Sequence, residues 1–231
     1  AHCGTAIAVD KDTEDANVGA GEKQVFDLIA ALMDNARQAL GEKLATDLYS
    51  NLTSAPNLIG LRTAIGDNTD GTSYAGVTRT ATTTWWNSKV VVNMNNAEPA
   101  LDTINLYRVI LTDADYPPDL IVTDKRTFNK IWSQALPQQQ MTDKDDQEIG
   151  WEHVSLGRTK ITYSKYCPDG HLFYLCLKYI RLVAHQNAEF DISPEIESPN
   201  QFAWTRKIRW KGQLMVVNPV WQGRLYGLNV N

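Results

Sequence analysis

Histidine and cysteine are the residue types best suited to metal binding and nucleophilic catalysis, and the chain has four of the first and three of the second. They are His2, His153, His171 and His185, with Cys3, Cys167 and Cys176. No two histidines have the spacing of a zinc motif, and no two cysteines form a C-x-x-C pair. We therefore expect no metal site. The odd cysteine count also argues against a disulfide framework.

Ser73 comes nearest to a serine nucleophile. Its segment 71-GTSYA-75 lacks the final glycine of a nucleophile elbow and follows a turn cluster instead of a strand, so Ser73 is expected in a loop. Cys167 precedes a proline in a predicted turn, and Cys176 lies in an apolar stretch, so both are expected to pack. The chain has neither G-x-G-x-x-G nor G-x-x-x-x-G-K-[ST]. The sequence thus predicts no catalytic residue, no cofactor and no nucleotide site.

Seven tryptophans are the remaining side chains with strong binding chemistry. Tryptophan can form a stacking platform for sugars or bases, an anchor of a protein interface, or part of a core. Core packing is expected for Trp132, Trp204 and Trp210. In the adjacent pair Trp85 and Trp86, one indole should point outward because neighbouring residues of an extended chain face opposite ways. An outward tryptophan in a polar segment favours an interface.

A long amphipathic helix is predicted from about Gly21 to Tyr49. Its apolar residues recur at three- and four-residue steps, at Val25, Leu28, Ile29, Leu32, Ala36, Leu40, Leu44 and Leu48. If it continues through Gly41, it is about 28 residues and ~40 Å long. Such a one-sided helix needs a sheet or a second chain to cover its apolar stripe.

The middle of the chain predicts an α/β layer. A helix over about 97–112 is apolar on a broad face and should be well buried, and the apolar run 119–124 is typical of an interior strand. Asp124 is placed to cap a further helix that ends before Pro137. Helices that flank an interior strand indicate an α/β architecture. Earlier, the threonine-rich segment 77–86 is predicted to be extended.

From Trp151 onward the chain is predicted to be mainly β, and 202-FAWTRKIRW-210 alternates most clearly. The alternation predicts one face with Phe202, Trp204, Arg206, Ile208 and Trp210 and another with Thr205, Lys207, Arg209 and Lys211.

Charge is unevenly distributed along the 231 residues. The net charge is −5, which argues against a generally basic nucleic-acid binder, and the hydrophobic content of 43% excludes coiled-coil, collagen-like and disordered classes. Residues 198–231 carry five basic and no acidic side chains, so the preceding part has a net charge of −10. A basic tail on an acidic body favours self-association, and a solvated strand face is the alternative.

No stretch approaches the ~18–20 apolar residues of a membrane span, and residues 1–19 lack the features of a signal peptide.

Several segments, in order, carry a resemblance to a known family. The long helix is followed by 58-LIGLRTAIGDNTDGTSYAGVTRTATTTWW-86, then 118-PDLIVTDKRTFNKIW-132, a late apolar strand pair and the basic β tail. Together they resemble the major capsid proteins of tailed phages and prophages with the HK97-type fold, over about residues 16–228. The resemblance implies an α+β fold with a long spine helix, a β-rich peripheral domain and an α/β axial domain.

The resemblance also implies a division of the chain. Residues 1–20 would be the remnant of an extended hairpin loop, 21–54 the peripheral domain with the spine helix, and 55–194 the axial domain. Residues 195–231 would return to the peripheral domain as strands beneath the helix. Because only some 20 residues precede the helix, the sequence is expected to be a fragment. The lysine of the covalent crosslink known in one family member belongs to the extended loop, so we assign no crosslinking residue here.

The function implied by this resemblance is structural, not enzymatic: self-assembly into an icosahedral shell that encloses double-stranded DNA. The implied partners are other copies in hexamers and pentamers, portal and scaffold or protease proteins, and packaged DNA bound without sequence specificity, with no membrane. The implied location is the virion capsid, after synthesis in the bacterial cytoplasm.

On this hypothesis the subunit interface is expected to include Arg79, Trp85, Trp86, Lys207, Arg209 and Lys211. An encapsulin-like shell around a cargo enzyme is one alternative, and it has the same fold. A carbohydrate-binding module or small hydrolase that uses the exposed aromatic residues is the other.

Overall fold

The computed structural model describes residues 1–12, 28–52, 57–69, 73–92, 99–111, 117–135, 154–197 and 202–229. The chain divides into two compact units. The first comprises Ala1–Leu48, Leu52–Ile59 and Leu182–Leu214, and the second comprises Tyr49–Asn51, Gly60–Arg181 and Met215–Asn231.

The described residues form four α-helices and three sheets. The helices are α1 (Leu28–Leu48), α2 (Leu61–Ala64), α3 (Leu101–Leu111) and α4 (Lys125–Ala135). A five-stranded sheet contains β1 (His2–Asp10), β9 (Ile180–Ala184), β10 (Asp191–Ile192), β11 (Ile196–Glu197) and β12 (Ala203–Val216). A six-stranded sheet contains β4 (Lys89–Val92), β5 (Leu120–Thr123), β6 (Val154–Leu156), β7 (Thr159–Tyr163), β8 (Leu172–Leu175) and β13 (Gly223–Tyr226). Strands β2 (Ser73–Tyr74) and β3 (Val77–Thr78) pair with each other.

Strand β12 is the centre of the five-stranded sheet. Strand β1 pairs with it antiparallel over nine residues, from His2 opposite Lys211 to Asp10 opposite Ala203. Strands β9, β10 and β11 also pair with β12. Residues 2–10, which the resemblance assigns to the remnant of an extended hairpin loop, form a strand of this sheet, and residues 13–20 lie outside the described residues.

The predicted alternation along β12 is confirmed at most positions. Trp204, Ile208 and Trp210 are buried, whereas Lys207 on the other face is exposed. The prediction is wrong for Phe202, whose side chain is 83% exposed. Phe202 lies one residue before the strand begins, so the pleat does not direct it into the core.

Helix α1 packs against strand β1 and runs without interruption through Gly41. Leu40 of the predicted stripe is buried, as is the neighbouring Met33, and five further stripe residues are half-buried: Ile29, Leu32, Ala36, Leu44 and Leu48. The amphipathic helix is thus confirmed over Leu28–Leu48, and strand β1 supplies the cover that its apolar face requires. The predicted start near Gly21 lies outside the described residues.

The six-stranded sheet is mixed and has the order β4-β13-β8-β5-β7-β6. The pairs β4/β13 and β5/β7 are parallel, and the other neighbours are antiparallel. Ile104 of α3 and Phe128 and Ile131 of α4 belong to the same buried cluster as Ile121 and Ile161 of the sheet. Helices packed on an interior strand confirm the predicted α/β layer.

Asp124 caps helix α4 as predicted. Its Oδ2 accepts hydrogen bonds from the backbone N–H groups of Arg126 and Thr127, both at 3.0 Å. Its Oδ1 accepts a third from the N–H of Gly170, at 3.1 Å. Gly170 has φ +68°, and a Cβ there would lie 2.6 Å from the carbonyl oxygen of Leu228. This turn therefore requires glycine.

Helix α3 is less buried than its composition predicts. Ile104 is fully buried, but Leu106, Val109 and Ile110 are exposed, Leu106 at 56%. These three residues recur at steps of three and one, which places them together on the face away from the core. The expected broad buried face is therefore wrong, because the sheet covers only one side of the helix.

The structure divides residues 195–231, which the resemblance places together in the peripheral domain. Strand β12 pairs with β1, whereas β13 hydrogen-bonds to β4 and β8 in the six-stranded sheet. Leu225 of β13 is 1% exposed and belongs to that sheet's core cluster. The burial of this strand explains why Met215–Asn231 belongs to the second unit.

Alkaline pH is expected to destabilise the fold. Burial raises the pKa of Cys167 above its ordinary 9.0, and it raises the pKa values of Tyr49, Tyr74 and Tyr174 above 10.0. Above about pH 9 the unfolded chain releases protons that the folded chain retains, so the free energy of unfolding falls as pH rises. Each group contributes a slope of up to about 1.4 kcal/mol per pH unit. Urea denaturation at about pH 8 and about pH 10 measures this; equal stability at both would contradict it.

Candidate assembly surface

Arg79, predicted at a subunit interface, lies instead in the interior of the second unit, 2% exposed. Its guanidinium donates hydrogen bonds to the carbonyl oxygens of Thr63 (2.9 Å), Ala64 and Trp86 (3.3 Å). It also lies 5.6 Å from the centre of the Tyr74 ring. Burial lowers the pKa of Arg79 to about 10, so the group remains charged at neutral pH. Arg79 therefore holds segments of its own chain together, and its guanidinium is not exposed where the sequence predicted an interface.

Trp86 is also part of the fold. Its Nε1 donates a hydrogen bond of 3.2 Å to the carbonyl oxygen of Tyr74, and the two rings stack with centroids 6.1 Å apart. The Tyr74 hydroxyl in turn accepts a hydrogen bond of 2.8 Å from the backbone N–H of Val216. Trp86 is half-buried, so its main contacts are intramolecular.

Trp85 points outward, with 62% of its surface exposed. Its ring centroid lies 5.6 Å from that of Trp86, with the rings tilted by 55°. The pair is in a 3-10 turn, Thr84–Trp86, and not in the predicted extended segment. Threonine side chains explain the difference, because the Thr83 hydroxyl accepts a 2.7 Å hydrogen bond from the N–H of Thr80 and so favours a turn. The outward indole is therefore presented by a hydrogen-bonded turn.

The basic residues predicted on one face of β12 are exposed together. Lys207, Arg209 and Lys211 alternate with buried residues and face solvent. Arg209 forms an ion pair of 2.8 Å with Asp191, whereas no ion pair of Lys207 or Lys211 is found within the described part of the chain. The two lysines are therefore the cations on this strand that are best placed to meet an acidic surface.

The basic C-terminal tail is not a uniform charged surface. Arg224 is buried, donates a 2.9 Å hydrogen bond to the carbonyl oxygen of Arg62, and lies 4.9 Å from the centre of the Tyr226 ring. Arg206 is half-buried and forms an ion pair with Glu195. The charge of Arg224 is therefore enclosed by its own fold, and the basic tail presents only part of its charge at the surface.

The described residues with the strongest chemistry are the cysteines, Ser73 and the histidines other than His153, and they do not cluster. All three cysteines are free, and burial raises the pKa values of the Cys167 and Cys176 thiols, which disfavours the nucleophilic thiolate. Ser73, predicted in a loop, lies in strand β2. Among the described residues, no three histidine, cysteine or acidic side chains lie close enough to hold a metal ion. Of the helices in the same ranges, none has the length and apolarity to cross a bilayer.

Two surface features were not predicted from the sequence. One is the exposed apolar face of α3. The other is an open pocket of about 500 Å³ beside α4, lined by Lys125, Arg126, Phe128, Asn129, Trp132 and Tyr163. The sequence did contain one indication of this pocket. Lys125, Asn129 and Trp132 are spaced four and three residues apart, and residues at this spacing share a helix face.

Sequence comparison does not place the chain in a known group. No protein-family model matches it, and no curated protein matches it.

Solved structures share its fold. A chain of the cyanophage A-1(L) capsid asymmetric unit aligns with a TM-score of 0.78 and 14% identity, over 99% of this chain and 77% of that one. The encapsulin complex of Synechococcus elongatus PCC 7942 aligns with a TM-score of 0.62 and 10% identity, over 100% and 75%. The capsid of Myoviridae phage XM1 aligns with a TM-score of 0.61 and 9% identity, over 99% and 73%. The chain therefore has the HK97-like α+β fold of capsid and encapsulin shells.

Proposed function

We propose, from a fold shared with virus and encapsulin shells, that this chain is the major capsid protein of a tailed phage or prophage. It would self-assemble into an icosahedral shell around double-stranded DNA. The observation that carries the proposal is the alignment of nearly the whole chain with a cyanophage capsid chain, at a TM-score well above that of the encapsulin. The unit that contains α1 and β1 would be the peripheral domain, and the unit that contains the six-stranded sheet would be the axial domain.

A shell subunit performs no bond chemistry, and its function is repeated association. Each copy contacts its neighbours through two different surfaces, and such heterologous contacts close into rings of five or six. Trp85 supplies an exposed aromatic anchor of the type that dominates binding energy at interfaces. Lys207 and Lys211 supply cations for an acidic patch on the next copy. These surfaces are the proposed interface, with Arg79 and Trp86 acting inside the subunit.

The charge of the chain suits a container for DNA. A strongly basic inner wall would bind the duplex through its phosphates and hinder its movement during packaging and release. The net charge of −5 supports this proposal, because the chain as a whole does not attract phosphates. The remaining partners are the portal and the scaffold or protease proteins that the resemblance implies. Synthesis in the bacterial cytoplasm and final location in the virion belong to the same proposal.

Reversing charge on the exposed face of β12 is expected to weaken assembly. Lys207→Glu, Arg209→Glu and Lys211→Glu together should lower the yield of sedimenting shells about tenfold, because like charges would then meet across the contact. The monomer should remain folded, since all three side chains are exposed. Arg158→Glu with Lys160→Glu, at exposed positions outside the five-stranded sheet, controls for added negative charge. An unchanged shell yield in the triple variant would count against this surface.

The contents of the particles separate the two shell functions. Particles isolated from cells that carry the gene in its native genome are treated with nuclease and then opened. A phage head should release nuclease-protected double-stranded DNA. Particles that hold a stoichiometric cargo protein and no DNA would instead support the encapsulin-like alternative, which the structural likeness to an encapsulin favours as second candidate.

A further inference from the structure

The pocket beside helix α4 combines two kinds of surface within the second unit. Its floor and wall are aromatic, and its rim is cationic and polar. Its volume of about 500 Å³ matches a few amino-acid side chains. None of the functions proposed above uses it.

The aromatic part of the pocket is a three-ring cluster. Phe128 is buried at its centre, with its ring centroid 5.1 Å from that of Tyr163 and 6.1 Å from that of Trp132. Trp132 and Tyr163 are only half-buried, so part of each ring faces the pocket. Partly exposed, mutually packed rings form a rigid apolar surface that loses little entropy on binding.

The rim of the pocket carries two positive charges that no described acidic side chain neutralises. Lys125 and Arg126 are exposed, and no ion pair of either is found among the described residues. The neighbouring carboxylate, Asp124, is buried and accepts hydrogen bonds from three backbone N–H groups. Asn129 adds an exposed amide one turn further along the helix. The rim can therefore bind carboxylates from outside.

A ligand that fits must offer several carboxylates next to an apolar or aromatic side chain. Cationic side chains select acidic peptide motifs, and aromatic surfaces accept adjacent apolar residues. The chain itself contains such a peptide, 143-DKDDQEIGW-151, in which four acidic residues precede Ile149 and Trp151. This peptide lies outside the described residues, and its composition complements the pocket in both charge and apolarity.

We propose that the pocket of one copy binds residues 143–151 of a neighbouring copy. The proposal rests on the proposed function, because a shell holds neighbouring copies at a fixed short distance. The chain between Ala135 and Val154 is 18 residues long. Half of it, fully extended, spans at most roughly 30 Å, which sets the longest reach of this contact. The interaction would join each copy to the next around a ring.

The charge pairing is tested by reversal and restoration. Variant one carries Lys125→Glu and Arg126→Glu, which suit the first turn of a helix and so should leave folding intact. Variant two carries Asp145→Lys and Asp146→Lys. Each alone should lower the yield of sedimenting shells about tenfold, and the chain that carries all four changes should recover most of the wild-type yield. Equal shell yields from the wild type, the two variants and the combined variant would overturn the proposed contact at the pocket. They would leave the proposed shell function unaffected.

Loss of assembly in variant one without loss in variant two would also overturn the proposal, because the occupant would then be a different acidic segment. Absence of shells from the wild-type chain would overturn both the shell function and this contact.

The source of the peptide is tested by crosslinking. A chain with Asn129→Cys and Gln147→Cys is assembled, oxidised and separated on a denaturing gel without reductant. Binding between copies should give a ladder of dimers and larger species, and the single variant Asn129→Cys controls for the native cysteines. Disulfides formed only within one chain would show that the pocket binds its own segment, which overturns the proposal.

Discussion

Replacing Arg79 with methionine is expected to destabilise the fold by roughly 3–5 kcal/mol. The guanidinium is the donor for the carbonyl oxygens of Thr63, Ala64 and Trp86. Methionine fills much of the same volume but leaves these buried acceptors without that donor, and an unsatisfied buried acceptor costs about 1–3 kcal/mol. Because native proteins have total stabilities of about 5–15 kcal/mol, this change removes a large share of the stability.

Chemical denaturation of the dissociated subunit measures this loss. Arg158→Met removes an exposed arginine and should change stability by no more than about 0.5 kcal/mol. Arg79→Lys should fall between the two, because an ammonium keeps the charge but lacks the planar fork that reaches several carbonyls. If Arg79→Met were as stable as Arg158→Met, the assignment of Arg79 to the interior would be wrong.

Replacing Trp85 with alanine is expected to abolish most shell assembly without destabilising the subunit. An interface tryptophan contributes roughly 2 kcal/mol or more to one contact. That contact is repeated at every copy, so shell yield should fall by far more than tenfold. The side chain is 62% exposed in the isolated subunit, and its removal should cost folding little.

The neighbouring position provides the matched control. Trp86→Ala removes the stacking on Tyr74 and the 3.2 Å hydrogen bond to its carbonyl oxygen, so it should lower subunit stability by about 2–4 kcal/mol. Sedimentation measures assembly, and denaturant unfolding measures subunit stability. Normal shells from Trp85→Ala would remove this residue from the proposed interface.

Features that depend on residues close together in the sequence were predicted correctly. The stripe of α1 and the alternation of β12 follow from the periods of helix and strand, and the cap at Asp124 follows from residue type and position. In each case the information lies within one element, so no knowledge of its partners is needed.

Features set by distant contacts were not predicted. The buried state of Arg79 depends on carbonyl groups 15 and 16 residues earlier in the chain. Strand β13 pairs with β4 and β8, and no local signal selects those partners over the sheet of β12. The composition of α3 predicts burial, but the sheet covers only the face that carries Ile104. Local residue patterns define the faces of an element, whereas the tertiary arrangement decides which of them is covered.

The candidate interface also combines features set by local sequence patterns with features set by distant contacts. Exposure of Lys207, Arg209 and Lys211 follows from strand alternation, and one outward indole follows from the adjacent tryptophans. The sequence does not reveal that Asp191 already neutralises Arg209, since that pairing spans 18 residues. The aromatic pocket beside α4 likewise needs Tyr163 from a different strand to complete it.

Cryo-electron microscopy of the assembled protein tests the central claim most directly. We expect closed icosahedral shells in which every subunit has α1 packed on β1 and a separate six-stranded sheet, with Trp85 buried between copies. Protein that stays monomeric at high concentration, or that forms only open filaments, would contradict the proposal that this chain builds a shell.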